Sequence, residues 1–297
     1  MTAIAAVDLK PRKAALAMVG AMAIVGAIDS TVVEIAEVIS VWQFFVVRAA
    51  LAVPMVLVIA RVTGADLRPD RWSVVILRSL LVAAAMVLYF GALGFLPIAQ
   101  ALAGLFTAPI FVLLITVLVQ GDRIGPWRVL AVVLGFAGVL LVLQPGSEAF
   151  RPWMILPVLG GLLYALASVL TRSHCSREPT LALLAGMFLA QAVFGLAGMA
   201  VAGGGDDFIS RDVTWAMGPI LHWIIGQAVL SLVGVGLIIW AYQNGEPSHV
   251  AVFEYSVFIF GPLVAWLAFG QNVGPLAMLG IALIALAGSV IAVRSGQ

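Results

Sequence analysis

Four ionisable side chains interrupt long apolar stretches of the chain: Asp29, Arg48, Arg78 and Glu254. A charge near the centre of a bilayer costs about 2.5 to 3.5 kcal/mol on insertion scales, so each needs a partner, a wet cavity or a proton. Glu254 is the sharpest of the four. It lies between Phe253 and Tyr255, a turn or two into an apolar run, and helical spacing puts Phe258 and Gly261 on its face. It could hold a cationic or zwitterionic group, take up a proton, or cap a hydrogen-bond network between helices. Asp29 is a second candidate for substrate binding or protonation, or else part of an interfacial cluster with Glu34 and Glu37. Arg48 could neutralise Asp29 or Glu34. Arg78 could meet a substrate carboxylate at the mouth of a cavity that Tyr89, on the same face, would help to line, or it could snorkel to the headgroups.

Milder polar residues recur at helical spacing. Gln100 and Thr107 share a face, Gln227 and Ser231 another, and Tyr164 and Ser168 extend a small stripe with Pro157 and Gly161. Such groups either bond across helices or line a polar cavity. Trp240 and Tyr242 fit an interfacial aromatic belt or a stacking surface for an aromatic substrate. Tyr255, next to Glu254, completes the candidate cavity set. Pro109 and Pro262 each remove a backbone hydrogen bond inside an apolar run and are expected to kink it, as gating elements do.

Other chemistries find little support. His174, His222 and His249 do not pair at helical spacing with acids or with Cys175, and no HExxH-type motif occurs, so an intramembrane enzyme is disfavoured and no cofactor or metal is expected. The only lysines are Lys10 and Lys13, which leaves no buried lysine for a retinal receptor. No filter-like loop suggests a channel. Without a phosphate-binding Walker motif, any transport must draw on a gradient, such as a proton, or on a counter-substrate. A net charge of +1 gives no field for nucleic acid.

The elements that position these residues follow from composition. The chain is 63% hydrophobic and 10% charged, against about 45–50% and about 25% in soluble domains. Ten apolar spans are predicted: Ala14–Val33, Val41–Ala60, Val74–Leu93, Ile98–Val119, Trp127–Leu143, Trp153–Leu170, Leu181–Ala202, Met217–Ala241, Val250–Phe269 and Leu276–Val293. They do not alternate, so an all-α integral membrane protein is expected rather than a barrel. Lys10, Arg12 and Lys13 precede a full-length first span, which reads as an anchor rather than a cleavable signal. With both termini in the cytoplasm, 11 of the 15 basic residues fall on that side, the bias that orients membrane helices.

The two halves echo each other. Gly121-Asp122-Arg123-Ile124-Gly125-Pro126 matches Gly270-Gln271-Asn272-Val273-Gly274-Pro275, and Pro97-Ile98-Ala99-Gln100-Ala101 matches Pro247-Ser248-His249-Val250-Ala251. Ten helices therefore divide into two five-helix repeats, residues 1–147 and 148–297. Five is odd, so the second repeat enters the membrane inverted, which is a common construction of secondary transporters working by alternating access. Only Arg48 and Arg78 could neutralise a phosphate within the spans, so a neutral, zwitterionic or cationic solute is expected. Small residues at Gly135, Gly138, Ala285 and Gly288 suit close packing of the fifth and tenth spans, within a monomer or across a homodimer.

From Tyr89-Phe90-Gly91-Ala92-Leu93 through Leu96-Pro97-Ile98-Ala99-Gln100-Ala101, Thr107-Ala108-Pro109-Ile110-Phe111 and Leu118-Val119-Gln120-Gly121-Asp122-Arg123 to Gly135-Phe136-Ala137-Gly138-Val139, the chain resembles the drug/metabolite transporter superfamily, in its ten-helix EamA-type branch. Asp122 and Gln271 stand where family members usually carry Glu. The resemblance implies a multi-pass transporter of the bacterial inner membrane, more often an exporter or exchanger than an importer, with fifth and tenth helices peripheral. Phe253-Glu254-Tyr255-Ser256 is similar to a subgroup that handles S-adenosylmethionine-like or riboflavin-like metabolites, so amino-acid-like, amine or S-adenosylmethionine-like solutes are implied, with a riboflavin- or nucleoside-like vitamin as the alternative.

Overall fold

A computed structural model describes residues 10–29, 31–92, 98–119, 121, 125–143, 153, 155–201, 203–269 and 274–294. Among them the chain is helical, with no strand beyond an isolated bridge between Gly205 and Arg211. The helices are α1 (Pro11–Asp29), α2 (Thr31–Ala36), α3 (Val41–Thr63), α4 (Trp72–Ala92), α5 (Ile98–Leu105), α6 (Ala108–Leu118), α7 (Pro126–Leu143), α8 (Ile155–His174), α9 (Thr180–Val201), α10 (Leu221–Asn244), α11 (Pro247–Val250), α12 (Val257–Phe269) and α13 (Pro275–Arg294). A 3₁₀ stretch, Ala251–Ser256, joins α11 to α12. Seven described helical segments are long and apolar enough to cross a bilayer, with α1–α2 and most of α5–α6 each counted as one, and α7 and α13 are shorter apolar helices.

Local chemistry explains the ends. Ser40 caps α3 by accepting the Gln43 N–H at 3.3 Å, and Gly64 closes it in the left-handed region at φ 66°, where a Cβ would be strained. The predicted fourth span is broken at Phe106–Thr107. The Thr107 hydroxyl donates to the Gly104 carbonyl at 2.6 Å, and Pro109 falls in the first turn of α6, where its missing N–H costs nothing. In the predicted ninth span the irregular stretch is Ala251–Ser256, and α12 continues helically through Pro262.

Hydrogen bonds fix the two ends of the bundle. At what we term the basal end, the Lys10 N–H meets the Asn244 carbonyl, Arg128 at the start of α7 bonds Glu246 and Ser248, and Glu178 accepts the Asp70 and Arg71 N–H groups. At the apical end, the segment between α9 and α10 folds against α3. Phe208 accepts the Val41 N–H, Ile209 the Trp42 indole, and Thr214 the Gln43 amide. Within the bundle α1 packs on α10 and α12, α8 on α4 and α6, α3 on α9, and α7 on α13. Gly138 lies so close to the α13 backbone that an added Cβ would come within 2.7 Å of the Gly280 carbonyl. These small faces meet inside one chain. Large apolar side chains such as Leu57, Val62, Leu118 and Val193 point outward, as lipid contact requires.

Candidate functional site

Between the helices lies a cavity with about 1090 Å³ of empty space, its open mouth included. It is lined by side chains of α1, α2, α3, α4, α5, α6, α8, α9, α10 and the 3₁₀ stretch. All four ionisable residues of the apolar spans face it: Asp29, Arg48, Arg78 and Glu254.

At its basal side Glu254 is 2% exposed. Its Oε1 accepts the Tyr242 hydroxyl at 2.6 Å and the Tyr164 hydroxyl at 3.1 Å. Two donors on one oxygen compensate much of the lost hydration of a carboxylate and leave Oε2 for a ligand or a proton. Tyr242 is 1% exposed and anchors this network, so the belt position expected for it is corrected. Its spacing resembles that of interfacial aromatics, and only the tertiary fold turns it inward.

Arg78 is likewise buried and does not snorkel. Its Nε donates to the Thr171 hydroxyl at 3.2 Å and its NH1 to the Leu183 carbonyl at 3.3 Å. Packing of α8 and α9 against α4 buries it.

Toward the apical side, Arg48 donates to the Gln191 side chain at 2.6 Å and lies over the Phe44 ring, 4.7 Å from its centroid. Neither Asp29 nor Glu34 forms an ion pair with it among the described residues. Asp29 also lines the cavity, where it is exposed, and has no hydrogen-bond partner among the described residues. Gln227 donates to the Ile28 carbonyl at 2.8 Å and pins the end of α1. Tyr89 and Ser231 also line the cavity.

Several expected cavity residues lie elsewhere. Tyr255 is fully buried, with its ring against Gly135 of α7, because the 3₁₀ turn rotates it away from Glu254. Thr107 and Ser168 spend their hydroxyls on the Gly104 and Tyr164 carbonyls and, like Trp240, do not reach the cavity. The Gln100 side chain is outside the described residues. Sequence reasoning noted Arg48 only as a partner for an acid and Ser231 only as a polar neighbour of Gln227, and it missed Gln191, together with the apolar wall formed by Met22, Met86, Phe106, Met187 and Phe188. Arg48 carried a signal, as a charge inside a span. Gln191 carried only a faint one, a lone amide in α9.

An apolar helical exterior around a largely apolar cavity that carries four ionisable groups defines a polytopic membrane protein. The chain belongs to the EamA-like transporter family, in the drug/metabolite transporter superfamily, whose profile matches residues 12–144 and again 151–293. It is 29% identical to a riboflavin transporter of Rhizobium johnstonii over 73% of this chain and 69% of that one. It is 28% identical to the pseudopaline exporter CntI of Pseudomonas aeruginosa over 81% and 82%. Over 40% of each chain it is 28% identical to an S-adenosylmethionine uptake transporter of Rickettsia bellii. A solved crystal structure with 17% identity superposes with a TM-score of 0.78 over 95% of this chain and 96% of that one, which shows a shared fold. The family and these named relatives are transporters.

Proposed function

We propose that this protein is a secondary transporter of the bacterial inner membrane that carries a small neutral, zwitterionic or cationic metabolite by alternating access, as an exporter or exchanger. The observation that carries the reading is the cavity itself, with two carboxylates and two guanidinium groups at its wall. A solvated soluble surface could hold such charges cheaply, whereas a membrane interior retains them chiefly for solute or ion pathways.

Two inverted five-helix halves, with both termini cytoplasmic, supply the motion. Exchanging the first five spans for the second five turns the α1–α10 contact into the α8–α4 contact and the α8–α6 contact into the α1–α12 contact, while α3–α9 and α7–α13 map onto themselves. That symmetry, together with two successive family matches, supports the inverted-repeat reading. The irregular backbone also falls at related places, between α5 and α6 and between α11 and α12, where broken helices serve many carriers. The basal end is closed in this conformation, with Ala14, Met18, Tyr242 and Val250 all buried. Rocking of the halves would open it and close the apical side. Glu254 and Asp29 are the candidates for proton coupling.

A riboflavin-like solute is the second reading, favoured by the relatives so named and by the Phe106, Tyr164 and Phe188 side chains of the cavity. Flux assays on purified protein in liposomes test both: saturable, counterflow-stimulated uptake of an amino acid, amine, nucleoside or riboflavin supports the transporter reading. The absence of flux for every class, with the protein shown folded and inserted, would overturn it.

A further inference from the structure

His249 is buried at the basal end and takes no part in the cavity. It lies in α11, just before the predicted ninth span, and is 3% exposed. Both of its ring nitrogens are buried without a hydrogen-bond partner among the described residues. Its ring packs against that of Phe253, with centroids 5.4 Å apart, and a phenyl ring offers no acceptor. A buried polar ring with neither nitrogen satisfied costs stability, so packing alone does not account for it. The first half of the chain carries Ala99 at the matching position, so the five-helix plan does not call for an imidazole.

The imidazole sits inside the basal closure. The adjacent Val250 is one of the buried residues that close this end. An added Cβ at Gly245 would collide with the Val250 side chain and come within 2.8 Å of Ala14, so α11 fits against the start of α1 with no slack. Beside it Arg128 of α7 bonds Glu246 and Ser248, and the Ser248 hydroxyl donates to Glu246 at 2.8 Å. The charged groups that act on the imidazole are Arg128 and Glu246. Of the elements packed on α11, α6 carries no titratable residue and α10 only His222 and Tyr242. The start of α1 brings Arg12 and Lys13 and its far end Asp29, α8 brings Tyr164, Arg172 and His174, and the 3₁₀ stretch brings Glu254 and Tyr255. Arg172 donates to the Gln243 carbonyl, and Tyr164 and Tyr242 donate to Glu254. None of them gives the ring an acceptor. Protonation would therefore bury a second positive charge near the Arg128 guanidinium with nothing to receive its N–H groups. Burial, and then Arg128, push the His249 pKa from its ordinary 6.5 down to about 4. Once the basal end opens, water reaches the ring and the ordinary value returns.

We propose that His249 is a pH-sensing latch of the basal gate: neutral, it lets α11 seat against α1, and protonated, it drives that end open. The open form binds the proton more tightly, so falling pH favours it from about 6.5 downward, and the gain is complete below the closed-state value. Above that range both forms hold the ring neutral and the latch does not act. Ala99 at the matching place in the first half cannot titrate, so the control acts at one end only.

This inference rests on the basal end closing and opening as transport requires, and the experiment separates the two. In the purified full-length protein in detergent, a cysteine replaces Met18, which is fully buried in the closed basal end, with Ala14→Cys as a second reporter. Its rate of reaction with a thiol reagent is divided by that of Ser73→Cys, an exposed position at the basal start of α4, which cancels the reagent's own pH dependence. The ratio should rise about tenfold between about pH 7.5 and about pH 5.5, as one imidazole titrating near 6.5 demands. His249→Gln and His249→Leu, both uncharged, should flatten the series. A ratio that ignores pH while His249 is present, or that climbs as steeply in the variants, overturns the proposal. If neither variant folds, the midpoint decides: a rise that begins near pH 6.5 supports the latch, and one confined to the carboxylate range, below about 5, overturns it. If substrate changes the labelling while pH acts through another group, the transport reading survives and this one fails. If acid opens the basal end through His249 and no solute crosses the membrane, the latch survives and the transport reading fails.

Discussion

Glu254 concentrates the chemistry of the basal half of the cavity. Its carboxylate is held by Tyr242 and Tyr164, both donating to one oxygen. Glu254→Gln keeps an oxygen that can accept both hydroxyls but removes the charge. We expect a variant that folds and inserts, with substrate flux reduced about tenfold or more and a flattened pH profile. Flux in liposomes across a pH series checks this, and unchanged flux and profile would remove Glu254 from the mechanism. Tyr242→Phe deletes a buried donor to a carboxylate and should destabilise the protein by about 1.5–3 kcal/mol, seen as a lower unfolding midpoint in detergent. Tyr164→Phe, which removes a longer bond, should cost less.

At the scale of elements, close approach decides which residues are tolerated. Gly138 of α7 faces the Gly280 carbonyl and Ile284 of α13. Gly138→Leu must push these helices apart and should cost about 1–3 kcal/mol, as overpacking commonly does, whereas the same change at Gly125, with nothing near its Cβ position, should cost far less. The apical segment between α9 and α10 is ordered in part by Asp207, whose carboxylate accepts the Ser210 hydroxyl at 2.6 Å and the Ile209 and Ser210 N–H groups. The Ser210 bonds hold its pKa below the ordinary carboxylate value of 3.8. A depressed value means that this stabilisation is complete above the ordinary range and is lost as pH falls through the depressed value. Proteolysis of this loop should therefore quicken only in strong acid, and Asp207→Asn should make it equally labile at neutral pH.

For the molecule as a whole, the test is whether the two ends of the cavity open in turn. Cys175 is fully buried, which gives a low labelling background. Single cysteines introduced along the cavity faces of α1 and α8 should react from one side of the membrane in the resting protein and from the other once substrate is supplied. The basal Arg128–Glu246 contact ties α7 to the segment leading into α11. Glu246→Gln should shift the resting population toward the state open at the basal end, measured as faster labelling of basal cysteines. Labelling from one side only, whatever the substrate, would rule out alternating access.

How much of this was open to inspection in the sequence differs by kind. Apolar run length and the lack of alternation determined that the chain is helical and membrane-bound, because a backbone in lipid must satisfy its own hydrogen bonds. The cost of intramembrane charge singled out Asp29, Arg48, Arg78 and Glu254, and all four do face one cavity. What the sequence could not decide is which way the neighbours of those charges point. Tyr255 was expected beside Glu254 in the cavity, and Tyr242 at the lipid interface. A 3₁₀ turn advances each residue by a third of a turn rather than by 100°, which sends Tyr255 toward α7, while the packing of α10 against α1 and α8 brings Tyr242 onto Glu254. Arg48 found Gln191, 143 positions away, in place of either expected acid. Hydropathy is a property of segments and survives without knowledge of their neighbours. Pairing between polar groups on different helices depends on rotation and contact, and only the tertiary structure decides those.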